Sequence, residues 1–180
     1  MTFAIAIELP ALLRTRLAFI CYGLPAMEWV DEYHFYVLLK SLGELTPPHL
    51  SELKENLSRL HFHPFFLGFS TLQVHPLIGK KSLIGLGIAN TDHLRPLLKD
   101  INALTRNWPL PKTPSLLVPL GYFSRVKEGR LHEYLMLQQY LSLPDFEVNS
   151  CSLIELKKSP KTIYYDRLIT IKASPLILNE

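Results

Sequence analysis

The stretch that most constrains this chain is TPPHLSELKENLSRLH, Thr46 to His61. Leu50, Leu53, Leu57 and Leu60 form one apolar stripe at helical spacing. Thr46 stands where a cap belongs, and Pro47 and Pro48 suit a first turn, whose N–H groups have no helical partner. A helix with a single apolar stripe must lie on an apolar surface, and the chain supplies short β-rich runs on both sides of it. TFAIAIEL and FYVLLKSL precede the helix, the latter ended by Gly43, and segments around Phe65–Val74 and Ser82–Ile88 follow it.

The remaining segments repeat that alternation. PALLRTRLAFI places Leu13, Leu17 and Ile20 at helical spacing, and a further amphipathic helix is predicted from about Asp92, with Leu94, Leu97, Leu98, Ile101 and Leu104 on one side and Pro96 early within it. SLLVPLGYFSR reads as a strand that Pro119 leaves interrupted, bulged or at an edge. A helix around Leu131–Leu141 and two strands, FEVNSCSLIEL and TIYYDRLITIKA, joined by the turn KKSPK, complete the chain. WVDEYHFYVLLKSLGE, Trp29 to Glu44, reads as a strand running into a Leu-Gly turn. The order is βαβαββα followed by βαββ, an α+β chain of two helix-and-sheet units. With no low-complexity linker between them, residues 1–180 are expected to form one domain.

With 180 residues, 48% of them apolar and 19% charged, the chain can bury a sizeable core. A formal charge of +3 is too mild to imply nucleic-acid binding by itself and leaves room for a local basic cleft. Cys21 and Cys151 do not make a disulfide framework, which points to reduced thiols and a cytoplasmic location. The apolar N-terminus has no basic region and meets Glu8 and Pro10 early, so it reads as a strand and not a signal peptide. No apolar run is long enough to span a membrane, and no membrane partner is expected.

Few local motifs carry chemistry. GKKS, Gly79–Ser82, ends like a phosphate-binding loop, but Val74 stands where the loop's first glycine belongs, and a tight turn between strands is the better reading. His61 and His63 would face one way on a strand, as two metal ligands do, yet no third ligand stands at a recognisable spacing unless His75 approaches in the fold. Neither a metal nor a cofactor is expected. Lys157, Lys158 and Lys161 form one basic group and Arg125, Lys127 and Arg130 another; they can hold a phosphate only if both border one cleft.

Three phrases together resemble a known family. FAIAIELPALLRTRL is similar to the opening strand and helix of the two-histidine phosphoesterases, in the branch of bacterial RNA 2′,3′-cyclic phosphodiesterases, also called 2′-5′ RNA ligases. WVDEYHFYVLLKSLGE resembles, without a gap, that branch's Trp-Val…His-Leu-Thr-Leu-Lys-Phe-Leu-Gly-Glu. FEVNSCSLIELKKSPKTIYY resembles its closing pair of strands around a Ser-Pro turn. The resemblance covers nearly the whole chain. It implies a two-lobed, pseudo-symmetric α+β fold with antiparallel sheets, helices outside and a central cleft.

The family's reaction rests on two His-x-Thr/Ser motifs facing each other across that cleft. A strand points residues i and i+2 the same way, so each histidine and its hydroxyl meet one phosphate. One imidazole takes a proton while the other gives one, and the hydroxyls hold phosphate oxygens. Here the first motif reads Tyr36-Val37-Leu38 and the second, in TPSLLVPLG, reads Ser115-Leu116-Leu117. Tyr36 and Ser115 replace the histidines, Leu38 and Leu117 replace the hydroxyl residues, and Leu120 stands where a basic residue often follows. His34, two residues before Tyr36, is expected to share its strand face, one pleat repeat of about 6–7 Å from the proper position. Tyr36, with an ordinary pKa near 10, is a poor base at neutral pH, and Ser115 cannot replace an acid or base.

These substitutions imply a fold without the reaction, whose cleft, lined by Leu38, Leu117 and Leu120, is either packed shut or suited to a less polar ligand. The expected partner is a nucleotide, an RNA end or a protein; the oligomeric state is not specified. Two further readings remain: an active cyclic phosphodiesterase or 2′-5′ RNA ligase with a rearranged site on His34, Tyr36 and Ser115, and a non-enzymatic interaction or scaffold protein marked by an exposed apolar patch.

Overall fold

The computed structural model describes residues 2–106 and 116–175. Its strands are β1 (Thr2–Glu8), β2 (Glu28–Trp29), β3 (Tyr36–Gly43), β4 (Phe65–Pro76), β5 (Ser82–Ala89), β6 (Leu117–Phe123), β7 (Phe146–Val148), β8 (Ser150–Lys158) and β9 (Ile163–Lys172). The helices are α1 (Ala11–Ala18), α2 (Pro47–Leu57), α3 (Leu94–Leu104) and α4 (Glu128–Leu137). Among the described residues the strands join one sheet in the order β7-β4-β5-β6-β3-β1-β8-β9, with β2 alongside β6. All of these strand pairings are antiparallel.

One face of the sheet lies on the helices. Ile5 and Ile7 of β1, Val37 and Leu39 of β3, Val118 and Leu120 of β6 and Leu153 of β8 pack there with Leu13 and Leu17 of α1, Leu53 and Leu57 of α2, and Leu94, Leu97 and Ile101 of α3. The period-two alternation of strands sends Ala4, Ala6, Tyr36, Leu38, Ile154 and Tyr165 to the opposite face, where they form a second, smaller cluster. Register shifts mark the β1–β3 and β5–β6 pairings. The β5–β6 shift lies beside Pro119, so the interruption expected there is a bulge in a central strand.

The sheet falls into halves, β7-β4-β5-β6 and β3-β1-β8-β9, that meet between β6 and β3. Among the described residues one register pair joins these two strands, Leu38 with Leu117, supported by Leu116 N donating to the Leu38 carbonyl at 2.7 Å. β3 and β6 are therefore neighbours at the centre of the molecule, and Leu38 and Leu117, which the resemblance sets at hydroxyl positions, stand opposite one another.

Four local expectations change. Trp29–Glu44 is not one strand: Asp31 accepts from Tyr33 N at 3.0 Å and starts a 3-10 turn over Glu32–His34 before β3 begins. The penultimate segment is two strands, β7 and β8. The last helix begins at Glu128 and ends at Leu137, earlier than its apolar letters suggested. Thr46 occupies the cap position of α2 with extended backbone, but its side chain makes no capping bond.

Candidate functional site

Small residues on β1 shape the cleft face. β3 and β9 are separated by β1 and β8, about 14 Å at ordinary strand spacing. Because Ala4 and Ala6 barely rise from the sheet, the rings of Tyr36 and Tyr165 meet above them edge to face, with centroids 5.7 Å apart. Tyr36 is left 1% exposed, Leu38 6% and Leu117 2%. Leu117 also presses on Gly85 across the β5–β6 pairing; a Cβ at that glycine would lie 2.9 Å from a Leu117 methyl.

Burial holds the Tyr36 phenol well above its ordinary pKa, and interaction with the Tyr122 hydroxyl and then with Tyr165 adds to the effect. At neutral pH it is a proton-bearing hydroxyl engaged with another tyrosine, and so no base. Leu120, expected in the cleft, packs instead on the helix face. The bulge near Pro119 displaces the alternation, leaving Tyr122 to face Tyr36. Ser115, with Thr113 and Pro114, lies outside the described residues.

His34 does not share a strand face with Tyr36, because it ends the 3-10 turn. Its Nδ1 lies 2.7 Å from Asp31 Oδ1, and its ring packs edge-on to Tyr165 at 5.0 Å and to Tyr164 at 6.0 Å. His34 and Tyr36 are thus linked through Tyr165 and not through the backbone pleat. The same tyrosine carries a polar network absent from the sequence reading. The Tyr165 hydroxyl donates to Glu8 Oε1 at 2.8 Å, Arg167 donates to that oxygen at 2.7 Å, and Ser152 Oγ lies 3.5 Å from Glu8 Oε2. Burial, followed by the hydrogen bond to Glu8, raises the Tyr165 pKa. Glu8 alternates with Ala4 and Ala6 along β1, the one sequence signal that it faces this way.

The other candidates disperse. Gly79 and Lys80 adopt positive φ, 78° and 64°, in a turn closed by Leu77 N to the Lys81 carbonyl at 2.8 Å, so GKKS is a turn. His61 and His63 are not on a strand; they border a cavity with His93, while His75 bonds Gln73 at 3.0 Å. Among the described residues no three His, Cys, Asp or Glu side chains gather as a metal-binding group. The basic groups divide: Arg125 lines a cavity with Glu28 and Lys81, whereas Arg130 lines another with Tyr22 and pairs with Glu133. Lys157 and Lys158 border a cavity that includes Lys81 from the opposite half of the sheet.

An antiparallel sheet in two halves, joined at the two motif strands with helices on one face, is the fold of the two-histidine phosphoesterases, and this chain has it. It is similar to TT0787 of Thermus thermophilus, with a TM-score of 0.72 and 16% identity over 96% of this chain and 97% of that one. Escherichia coli LigT complexed with 3′-AMP superposes with a TM-score of 0.70 and 14% identity, covering 96% of this chain and 98% of LigT. Kluyveromyces marxianus Usb1 with uridine monophosphate gives 0.56 and 14%, over 93% and 98%. No protein-family model matches the sequence, and no curated protein matches it. No helix among the described residues is long and apolar enough to cross a membrane.

Proposed function

We propose that this chain is a two-histidine phosphoesterase fold without phosphodiester chemistry, acting across both halves as one unit that binds a nucleotide or an RNA end. The observation that carries it is the burial of Tyr36, Leu38 and Leu117 at three of the four family-equivalent positions, with no imidazole or carboxylate among them. A general acid or base contributes about 10²–10⁴ in rate, and both are replaced. The nucleotides bound to LigT and Usb1 in similar structures support the ligand class. A cytoplasmic setting agrees with two free thiols, Cys21 and Cys151, which burial pushes up to about 12.

The test is hydrolysis of a 2′,3′-cyclic nucleotide by three proteins: the natural chain, His34→Ala, and a variant combining Tyr36→His, Leu38→Thr, Ser115→His and Leu117→Thr. The expected result is no turnover by the first two and measurable turnover by the third. Turnover by the natural chain that His34→Ala abolishes would establish the rearranged enzyme instead. That second reading has a specific observation in its favour, since a carboxylate 2.7 Å from an imidazole nitrogen is how a general base is oriented. The interaction-protein reading has its own: Tyr22 and Leu137, 69% and 78% exposed, border one shallow cavity on the helical side.

A further inference from the structure

Two cavities that share Glu28, Lys81 and Tyr122 run together across the gap between the halves of the sheet. The larger, of 320 Å³, is walled by Leu77 and Lys81 from the β4–β5 turn and by Leu156, Lys158 and Ile163 from the β8–β9 end. The smaller, of 190 Å³, adds Arg125 beyond the end of β6. The larger alone reaches the range of ligand pockets, about 300–1,000 Å³.

Lys81, Lys158 and Arg125 surround a single carboxylate there. Lys158 Nζ lies 2.7 Å from Glu28 Oε1. That hydrogen bond, with the nearby charge of Lys81, holds the Glu28 carboxyl below its ordinary pKa. Both partners are substantially exposed, 55% and 41% for Lys158 and Glu28, so the pair is weak and its carboxylate can exchange for another anion. Lys157, at the same rim, is engaged by Asp166 and Glu155 and stays out of this arrangement.

We propose that this trough binds the phosphate of a nucleotide, with Lys81, Lys158 and Arg125 as its cations and Glu28 as the internal carboxylate that the phosphate displaces. A phosphate brings more charge and more acceptor oxygens than a carboxylate, and three cations against one acid leave that demand unmet. Leu156, Ile163 and the Tyr122 ring supply an apolar wall for the sugar and base. Because the Tyr122 hydroxyl meets that of Tyr36, the nucleotide lies beside the family-equivalent positions and not upon them. The assignment rests on the proposed nucleotide-binding function and adds where and through which groups it occurs.

The test is calorimetric titration of the full chain with 3′-AMP and with a short single-stranded RNA ending in a 3′-phosphate. Glu28→Gln and the pair Lys81→Ala with Lys158→Ala are titrated beside the natural protein. Opposite signs are expected: the lysine pair weakens binding about tenfold or more, and Glu28→Gln tightens it about three- to tenfold. Tighter binding of the RNA assigns the phosphate to a strand; equal binding assigns it to a free nucleotide. Binding that neither variant alters overturns the trough while leaving a nucleotide-binding protein. Absence of binding by both the natural chain and Glu28→Gln overturns the function and the trough together. Lys81 and Lys158 are exposed and Glu28→Gln keeps the size of its half-exposed side chain, so the variants are expected to fold as the parent does.

Discussion

Tyr36 stands where the resemblance expects a proton-transfer histidine, and the structure gives it the surroundings of a core residue: 1% exposed, with Tyr165 edge-on and the Tyr122 hydroxyl opposite. Removing the ring opens a cavity over Ala4 and Ala6 that neighbouring strands cannot fill. Tyr36→Ala is therefore expected to destabilise the protein by about 3–5 kcal/mol, and Tyr36→Phe, which removes only the hydroxyl, by about 0.5–1.5 kcal/mol. Urea denaturation measures both. If Tyr36→Ala proves as stable as the parent, this position returns to the class of functional residues held against stability. The residue types at 36, 38 and 117 were readable in the sequence as unable to do the family's chemistry. Their closure from solvent was not readable, because it depends on Tyr165, which only the curl of the sheet brings to Tyr36.

Elements were legible where periodicity was long and illegible where one polar side chain redirected the backbone. Leu50, Leu53 and Leu57 of α2 and the apolar runs of β4 and β5 lie where their spacing put them, while Leu60, the last of the stripe, falls beyond the end of α2. Trp29–Glu44 broke because the Asp31 side chain offers the backbone a turn in place of a strand. The β1–β3 register shift had an effect that the letters did not show. It brings Lys40 to the helix face, where its Nζ donates to Asn102 Oδ1 at 2.6 Å and Thr105 Oγ1 at 2.5 Å, tying β3 to α3. Burial lowers the Lys40 pKa from 10.5, so between the folded value and 10.5 the unfolded chain binds the extra proton. In that window the Lys40 contribution makes stability rise with pH. Lys40→Met is expected to remove that contribution, so the stability difference between parent and variant shifts in the parent's favour as pH climbs towards 10.5. A difference independent of pH would show Lys40 to be as solvated in the fold as in the unfolded chain.

At the scale of the molecule, the halves of the sheet meet along a seam whose polar groups come from distant parts of the chain. Lys81 lies in the β4–β5 turn of one half and Lys158 ends β8 in the other, and nothing beside either announces the other. The seam itself is filled by tyrosines: Tyr36 and Tyr165 from one half and Tyr122 from the other, each with its pKa raised first by burial. A phenol whose folded pKa exceeds its unfolded value near 10 contributes stability that is complete below about pH 10 and is lost as pH rises towards the folded value. The sign is opposite to that of Lys40, and the seam phenols outnumber that one amine. Tyr134, under the helices, is raised by burial too and adds to the same side. The expected outcome is steep alkaline unfolding beginning above about pH 10, in which the seam phenols ionise only as the halves separate. Tyrosinate absorbance followed alongside circular dichroism separates the alternatives. The final part of the absorbance rise, from Tyr36, Tyr122 and Tyr165 with Tyr134, should coincide with the loss of structure. If all eight tyrosines ionise while the dichroism is still native, the seam is open to water, and the closed cleft on which the proposed loss of chemistry rests does not exist in solution.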